Sequence, residues 1–229
     1  MYKAVVFDMD GVLVDTEKIY RLCWKKNGMS IGIPDDEMEH VCDRVAGGNK
    51  TTNARVFKDI MGEDFQYLPF RQRTMDLFDE YVAEHGVEIK RHVAETLGFL
   101  QSRGIRIALA TSTGRERAMQ RLSHVGILDF FEEMVCGDEI VKGKPNPDIY
   151  IRACEKLGIS PEEAVAVEDS VNGVISADTA GLYTVMVVDL IKPNDITEQH
   201  ADQTFYDIKD ICSCLLYTSP SPRDTERSR

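Results

Sequence analysis

Two carboxylates stand two residues apart in Phe7-Asp8-Met9-Asp10-Gly11. They follow an apolar run, Ala4-Val5-Val6-Phe7, that reads as a short buried strand. Side chains at i and i+2 of a strand share a face, so Asp8 and Asp10 face one small volume where the strand ends. Gly11 lets the chain turn away sharply. Clustered carboxylates repel unless a cation or a proton lies between them. The spacing therefore suggests a hard cation such as Mg2+, with one carboxylate free to act as nucleophile. A solvated turn also contains such pairs, so the reading depends on what else the chain brings to that end of the strand.

Three further groups are candidates. Thr111-Ser112-Thr113-Gly114 offers hydroxyls and successive backbone N–H groups ahead of a helix. That pattern can grip phosphate, but on residue types alone it reads first as a plain helix cap. Lys144 lies between Gly143 and Pro145; on residue type alone it is a surface lysine. Glu168 and Asp169 close another apolar run. Adjacent strand residues point to opposite faces, so only a bend at the strand end brings both to one cation. Asp169 is the better metal ligand of the two, with Glu168 a direct or water-mediated one. Mg2+ takes six oxygens and keeps waters.

The elements that must position these groups alternate. Strands are expected over 3–8, 105–110, 133–136, 164–168 and 183–188, and helices over 93–103, 114–124, 147–157 and 170–180. Such alternation implies a parallel sheet covered on both faces, with ligands bound beyond the carboxyl ends of its strands. Asp8, Thr111 and Asp169 each fall at such an end. Residues 16–85 are helical in pattern, rich in charge and too long for a loop; they read as an insert.

Composition narrows the classes. The chain has 229 residues, 43% of them hydrophobic, as in ordinary globular proteins. No apolar run approaches the ~20 residues of a membrane span, and the first residues lack a secretory pattern, so a cytoplasmic location is expected. The charge is 27 − 39 = −12, which argues against nucleic-acid partners. An anionic substrate stays compatible, because a bound metal and one or two cations reverse the local field. Six scattered cysteines without a Cys-x-x-Cys pattern are expected to be reduced thiols. The run from Cys214 to Asp224 reads as an in-frame translation of a transposase-type sequencing adapter. The natural C-terminus is therefore expected to be replaced from about Cys214, with a disordered polar tail over 214–229.

Four elements, in order and at compatible spacing, resemble the haloacid dehalogenase-like superfamily, in the branch of β-phosphoglucomutase and small-metabolite phosphatases. They are Phe7-Asp8-Met9-Asp10-Gly11, Leu109-Ala110-Thr111-Ser112, Lys144-Pro145 and Val167-Glu168-Asp169-Ser170. The resemblance spans roughly residues 1–212. It implies an α/β fold: a Rossmann-like doubly wound parallel sheet over 1–15 and 86–213, with an inserted α-helical cap over 16–85 that closes over the site and excludes water. It also implies roles. Asp8 is the nucleophile that forms an aspartyl-phosphate. Asp10 is the general acid/base, a contribution of ~10²–10⁴-fold. Thr111 and the Ser112 backbone hold the phosphate, and Lys144 sets a point charge against nucleophile and phosphate. Asp8, the Asp10 carbonyl, Asp169 and Glu168 hold Mg2+. Relatives that break carbon–halogen bonds usually lack the second aspartate, so Asp10 points to phosphate chemistry.

The resemblance implies a small phosphorylated metabolite as substrate, no nucleic acid or membrane partner, and a monomer. The polar segment from Ala46 to Thr52 matches the family's substrate-specificity loop, where Lys50 could meet a second anionic group. Tyr20 stands where β-phosphoglucomutases usually carry histidine, which favours a Mg2+-dependent phosphatase of sugar or nucleoside phosphates over a phosphosugar mutase. Arg91-His92 stands where many relatives carry Pro-Gly, a departure expected to alter only the return from the cap. A non-catalytic phosphate-binding module is the third reading, and intact Asp8, Asp10, Lys144 and Asp169 weigh against it.

Overall fold

A computed structural model describes residues 2–45 and 50–217. The chain runs β1 (Ala4–Phe7), then α1 (Glu17–Ser30), α2 (Asp35–Val45), α3 (Lys50–Met61) and α4 (Tyr67–His85). It continues with α5 (Val93–Ser102), β2 (Arg106–Thr111), α6 (Arg115–His124), β3 (Glu133–Cys136), α7 (Asp148–Leu157) and β4 (Ala164–Glu168). It closes with α8 (Val171–Ala180), β5 (Tyr183–Val187), α9 (Asp195–His200), β6 (Gln203–Phe205) and α10 (Asp210–Tyr217). Two compact units result, one from Met1–Val14 with Ile89–Arg229 and one from Asp15–Glu88.

The first unit is a six-stranded sheet in the order β3-β2-β1-β4-β5-β6, with every pair parallel. It is the parallel sheet that the alternation implied, and the α/β, Rossmann-like doubly wound fold that the resemblance implied. β1 is central and all four of its residues are buried, which is why it reads as an unbroken apolar run rather than an alternating one. Strand order reverses at β1, the position at which such sheets bind ligands beyond the strand ends. Small residues on one face (Ala4, Ala108, Ala110, Ala164 and Ala166) let Ile149, Tyr150 and Ala153 of α7 and Ala177 of α8 seat close to the sheet.

The second unit is wholly helical among its described residues. Met38, Val41, Phe57 and Phe70 form its core, with the Trp24 ring 5.0 Å from that of Phe57. Asn27, buried there, donates from Nδ2 to the Phe70 carbonyl at 2.8 Å and to Thr74 Oγ1 at 2.9 Å, which satisfies a polar group in an apolar core.

Several expectations need correction. The sheet has a sixth strand, β6, which only three residues form at the sheet edge; so short a polar run carries no pattern. Residues 214–217 belong to α10 and Leu215 is buried, so the disordered tail does not begin at Cys214. An apolar stretch, Ile211 to Leu216, was long enough to continue the helix. The remainder of that tail, 218–229, lies outside the described residues, as does the loop segment 46–49. Lys50, Thr51 and Thr52 form the first turn of α3 rather than a loop. No described helix is long and apolar enough to cross a membrane.

Candidate active site

Register sets the site. Phe7 of β1 is level with Leu109 of β2 and with Val167 of β4. One residue further on, Asp8 therefore stands between Ala110 and Glu168. The Lys144 ammonium crosses this row: it donates to Asp8 Oδ1 at 2.6 Å, to the Ala110 carbonyl at 2.9 Å and to Glu168 Oε1 at 2.5 Å. All three ammonium donors are used. The lysine side chain is 7% exposed, so the pairing is not the screened contact of a surface lysine. Its loop is held by Asn146, whose Nδ2 donates to the Gly143 carbonyl at 3.0 Å and whose own carbonyl accepts from Ser176 Oγ at 2.6 Å.

The charges in this row act on one another. Burial pushes the Asp8 carboxyl up to about 7; the Lys144 ammonium pulls it down, and the Glu168 and Asp10 charges raise it again. Burial alone would lower Lys144, but the Asp8 and Glu168 carboxylates hold it above the usual lysine value. Glu168 is completely buried. Its Oε1 also accepts from the Tyr150 hydroxyl at 2.7 Å, and its Oε2 accepts from the Asp169 N–H and Ser170 Oγ at 3.2 Å each. A Cβ on Gly173 would lie 1.9 Å from the Glu168 carboxyl carbon; the glycine makes the room this carboxylate occupies.

After β1 the chain folds back on itself. Leu13 N–H donates to the Met9 carbonyl at 2.9 Å and Gly11 N–H to the Val14 carbonyl at 3.0 Å. Gly11 has φ +82°, and a Cβ there would meet Asp169 Oδ2 at 2.0 Å. The turn glycine is thus also the wall against which the Asp169 carboxylate rests. Ligand oxygens of Asp8, Glu168 and Asp169 lie within 4.8 Å of one another. Three carboxylates and no nitrogen or sulfur make a donor set for a hard divalent cation, so these residues could hold a metal ion. Cys136, Asp138 and Glu139 are as close together, but Asp138 accepts from the Arg115 N–H at 3.1 Å and Glu139 pairs with Arg115 and Lys156; that cluster ties α6 and α7 to β3.

Asp10 points its carboxylate at α6. Its Oδ1 accepts from Arg121 Nη1 and its Oδ2 from Thr113 Oγ1, both at 2.8 Å. Thr111 ends β2 with its hydroxyl accepting from the Thr113 N–H at 3.1 Å, and exposed Ser112 follows. The structure thus brings Asp8, Asp10, Thr111, Ser112, Lys144, Glu168 and Asp169 to one end of the sheet. Tyr20 lies on α1 and stacks on Phe78 with ring centroids 4.1 Å apart; the Lys50 side chain lies outside the described residues.

Sequence reasoning missed Tyr150 and Arg121, and it left the role of Thr113 open. The signal was present for two of them. Arg121 shares a helix face with Ala118 and Leu122, and Tyr150 one with Ala153 and Cys154. A charged or hydroxyl-bearing side chain on an apolar stripe needs a partner inside.

Fold and site together define a hydrolase of the haloacid dehalogenase-like kind. A family profile described as haloacid dehalogenase-like hydrolase matches residues 2–181, and the chain belongs to that family. Among its relatives is the phosphorylated carbohydrates phosphatase of Thermotoga maritima, 35% identical over 187 residues, 80% of this chain and 83% of the relative. The β-phosphoglucomutase of Bacillus subtilis is 30% identical over 193 residues, 81% of this chain and 83% of the relative. The crystal structure of a haloacid dehalogenase family hydrolase from Deinococcus radiodurans, with bound phosphate and sodium, superposes with a TM-score of 0.74. It is 26% identical and the match covers 93% of this chain and 95% of that one. The family and the phosphatase-named relatives mark the chain as a phosphomonoester hydrolase.

Proposed function

We propose that this protein is a Mg2+-dependent phosphatase of small phosphorylated carbohydrates that works through an aspartyl-phosphate on Asp8. The observation that carries the reading is the row Ala110–Asp8–Glu168 bridged by the Lys144 ammonium at 2.5–2.9 Å. A carboxylate held beside a fixed cation at a strand end suits in-line attack on a phosphoryl group, whose transfer needs mainly positioning and charge neutralisation.

In the first half-reaction an Asp8 oxygen bonds to phosphorus as the bond to the sugar oxygen breaks, and Asp10 gives that oxygen a proton. In the second, water bonds to phosphorus, Asp10 takes the water proton, and Asp8 leaves as a carboxylate. Thr111 and the Ser112 backbone hold phosphoryl oxygens. Asp8, Asp169, Glu168 and the Asp10 carbonyl would hold Mg2+, which when bound neutralises charge on those oxygens. Carbohydrate phosphates are favoured as substrates by the 35% identity to a phosphatase of phosphorylated carbohydrates. The relation to a β-phosphoglucomutase supports a second reading, in which the phosphoryl group passes to a sugar phosphate rather than to water.

Phosphate release from a panel of phosphorylated sugars, polyols and nucleosides, β-glucose 1-phosphate included, tests both. Release that needs Mg2+, stops in chelator and is absent in Asp8→Asn is expected, with carbohydrate phosphates preferred. Isomerisation of β-glucose 1-phosphate without release would establish the mutase instead. Neither product from folded protein would overturn both.

A further inference from the structure

Arg121 is among the largest fully buried side chains of the protein, with its side chain 2% exposed. Charged residues are almost never buried this far unless paired. Its Nη1 donates to Asp10 Oδ1 at 2.8 Å and lies 3.5 Å from Thr113 Oγ1, which itself donates to Asp10 Oδ2 at 2.8 Å. Each Asp10 carboxylate oxygen is therefore engaged by a different donor. Both donors belong to the segment from the end of β2 into α6, whereas Asp10 belongs to the turn after β1.

Thr113 is itself fixed. Its N–H donates to Thr111 Oγ1 at 3.1 Å and its carbonyl accepts from the Gly137 N–H at 3.0 Å. A Cβ on Gly137 would lie 2.1 Å from the Ser112 carbonyl oxygen, so the end of β3 lies backbone to backbone against the loop that carries this donor. Asp10 immediately precedes the turn glycine Gly11, and its side chain is 21% exposed, so the two donors hold a carboxylate that is partly open to solvent.

We infer that Arg121 and Thr113 form a two-point clamp that fixes the orientation of the Asp10 carboxylate, which makes Arg121 a positioning residue for the reaction. The inference rests on the phosphatase reading and adds to it a residue outside the four motifs. Each half-reaction moves one proton at Asp10, out to the leaving oxygen and back from water. A carboxylate with both oxygens tethered keeps its remaining lone pairs aimed at one place, and general acid/base transfer depends on that aim. A merely structural ion pair would join α6 to β1 and leave catalysis alone.

The test is a double-mutant comparison on the best substrate of the panel with Mg2+. Arg121→Lys keeps a buried cation and loses the planar fork; Thr113→Val keeps the shape and loses the donor to Oδ2. Each should lower kcat by ~10–10²-fold with KM essentially unchanged. In an Asp10→Ala background neither should lower it further, because the clamp acts only through that carboxylate. Unchanged kcat in a folded Thr113→Val protein, or the same fold loss in both backgrounds, would overturn the clamp. Wild-type protein without turnover would sink the phosphatase reading itself, and the clamp's catalytic role with it.

Discussion

Tyr150 donates its hydroxyl to Glu168 Oε1 at 2.7 Å, on the oxygen that the Lys144 ammonium approaches at 2.5 Å. Burial, and after it the Glu168 charge, keep this phenol well above its usual pKa, so it remains a donor at any working pH. It stabilises a fully buried carboxylate that otherwise leans on Lys144, on the N–H groups of Asp169 and Ser170 just ahead of α8, and on the Ser170 hydroxyl. Glu168 in turn holds Lys144 against Asp8, so the phenol acts on Asp8 at two removes. Tyr150→Phe removes one hydrogen bond to a buried charge. Urea unfolding should show a loss of about 1–3 kcal/mol, with kcat reduced and KM little changed. Equal stability of the two proteins would show that the carboxylate finds another donor.

Gly11 makes a sharper prediction. Its φ of +82° already disfavours a side chain, and a Cβ would meet Asp169 Oδ2 at 2.0 Å. Gly126 has a comparable φ, +73°, with nothing within 4 Å of the Cβ position. Gly11→Ala and Gly126→Ala should therefore both lose stability through backbone strain, by roughly 1–2 kcal/mol. Only Gly11→Ala should displace Asp169 and weaken the apparent Mg2+ affinity, by ~10–100-fold. A Mg2+ titration of phosphatase activity on both variants decides this; equal Mg2+ requirements would overturn the proposed role of Asp169 as a metal ligand.

The parts of this site that the sequence made legible are those whose position follows from strand ends. Asp8, Thr111 and Asp169 each terminate an apolar run, and a parallel sheet brings such ends together whatever the loops do. Lys144 was legible only through its resemblance to a family motif. Nothing local marks it, and its place depends on a loop fixed by a side chain of α8 thirty residues on, through the Ser176 bond to the Asn146 carbonyl. Arg121 and Tyr150 were hidden for another reason. Their helices are amphipathic, and an arginine or tyrosine on the apolar face signals a buried partner without naming it; that Arg121 meets Asp10 and Tyr150 meets Glu168 follows only from the fold. β6 was missed because three residues cannot establish a period.

His92 shows how a departure from the family pattern is accommodated. It stands where the resemblance expects glycine. It is the one non-glycine among the described residues with positive φ, 61°, and its Nδ1 lies 2.8 Å from Asp207 Oδ2. The backbone thus keeps the left-handed conformation a glycine would supply, and the ring is paired with Asp207 in the segment between β6 and α10. His92→Ala keeps the strain and loses the anchor; His92→Gly loses both. Glycine should consequently be the less damaging substitution, by about 1 kcal/mol, in urea unfolding. Alanine as well tolerated as glycine would mean that the turn relaxes to negative φ once the Asp207 contact is gone.

Asp8 links the site to stability. Burial pushes its carboxyl from 3.8 up to about 7, against the pull of Lys144. An unfolded chain ionises this group near 3.8, so between roughly pH 4 and 7 the native state holds a proton that the unfolded chain has released. Stability contributed by the protonated group is present below this window and declines as the pH rises through it. Asp8→Asn has no such proton to lose. In chelator, the stability of Asp8→Asn relative to wild type should therefore rise from about pH 4 and level off above about pH 7. A divalent cation favours the carboxylate, so added Mg2+ should stabilise wild type more than Asp8→Asn and close part of that gap at the upper end. Urea unfolding of both proteins across this range, with and without Mg2+, measures it. A gap that does not change with pH would mean that Lys144 outweighs burial and keeps Asp8 ionised throughout.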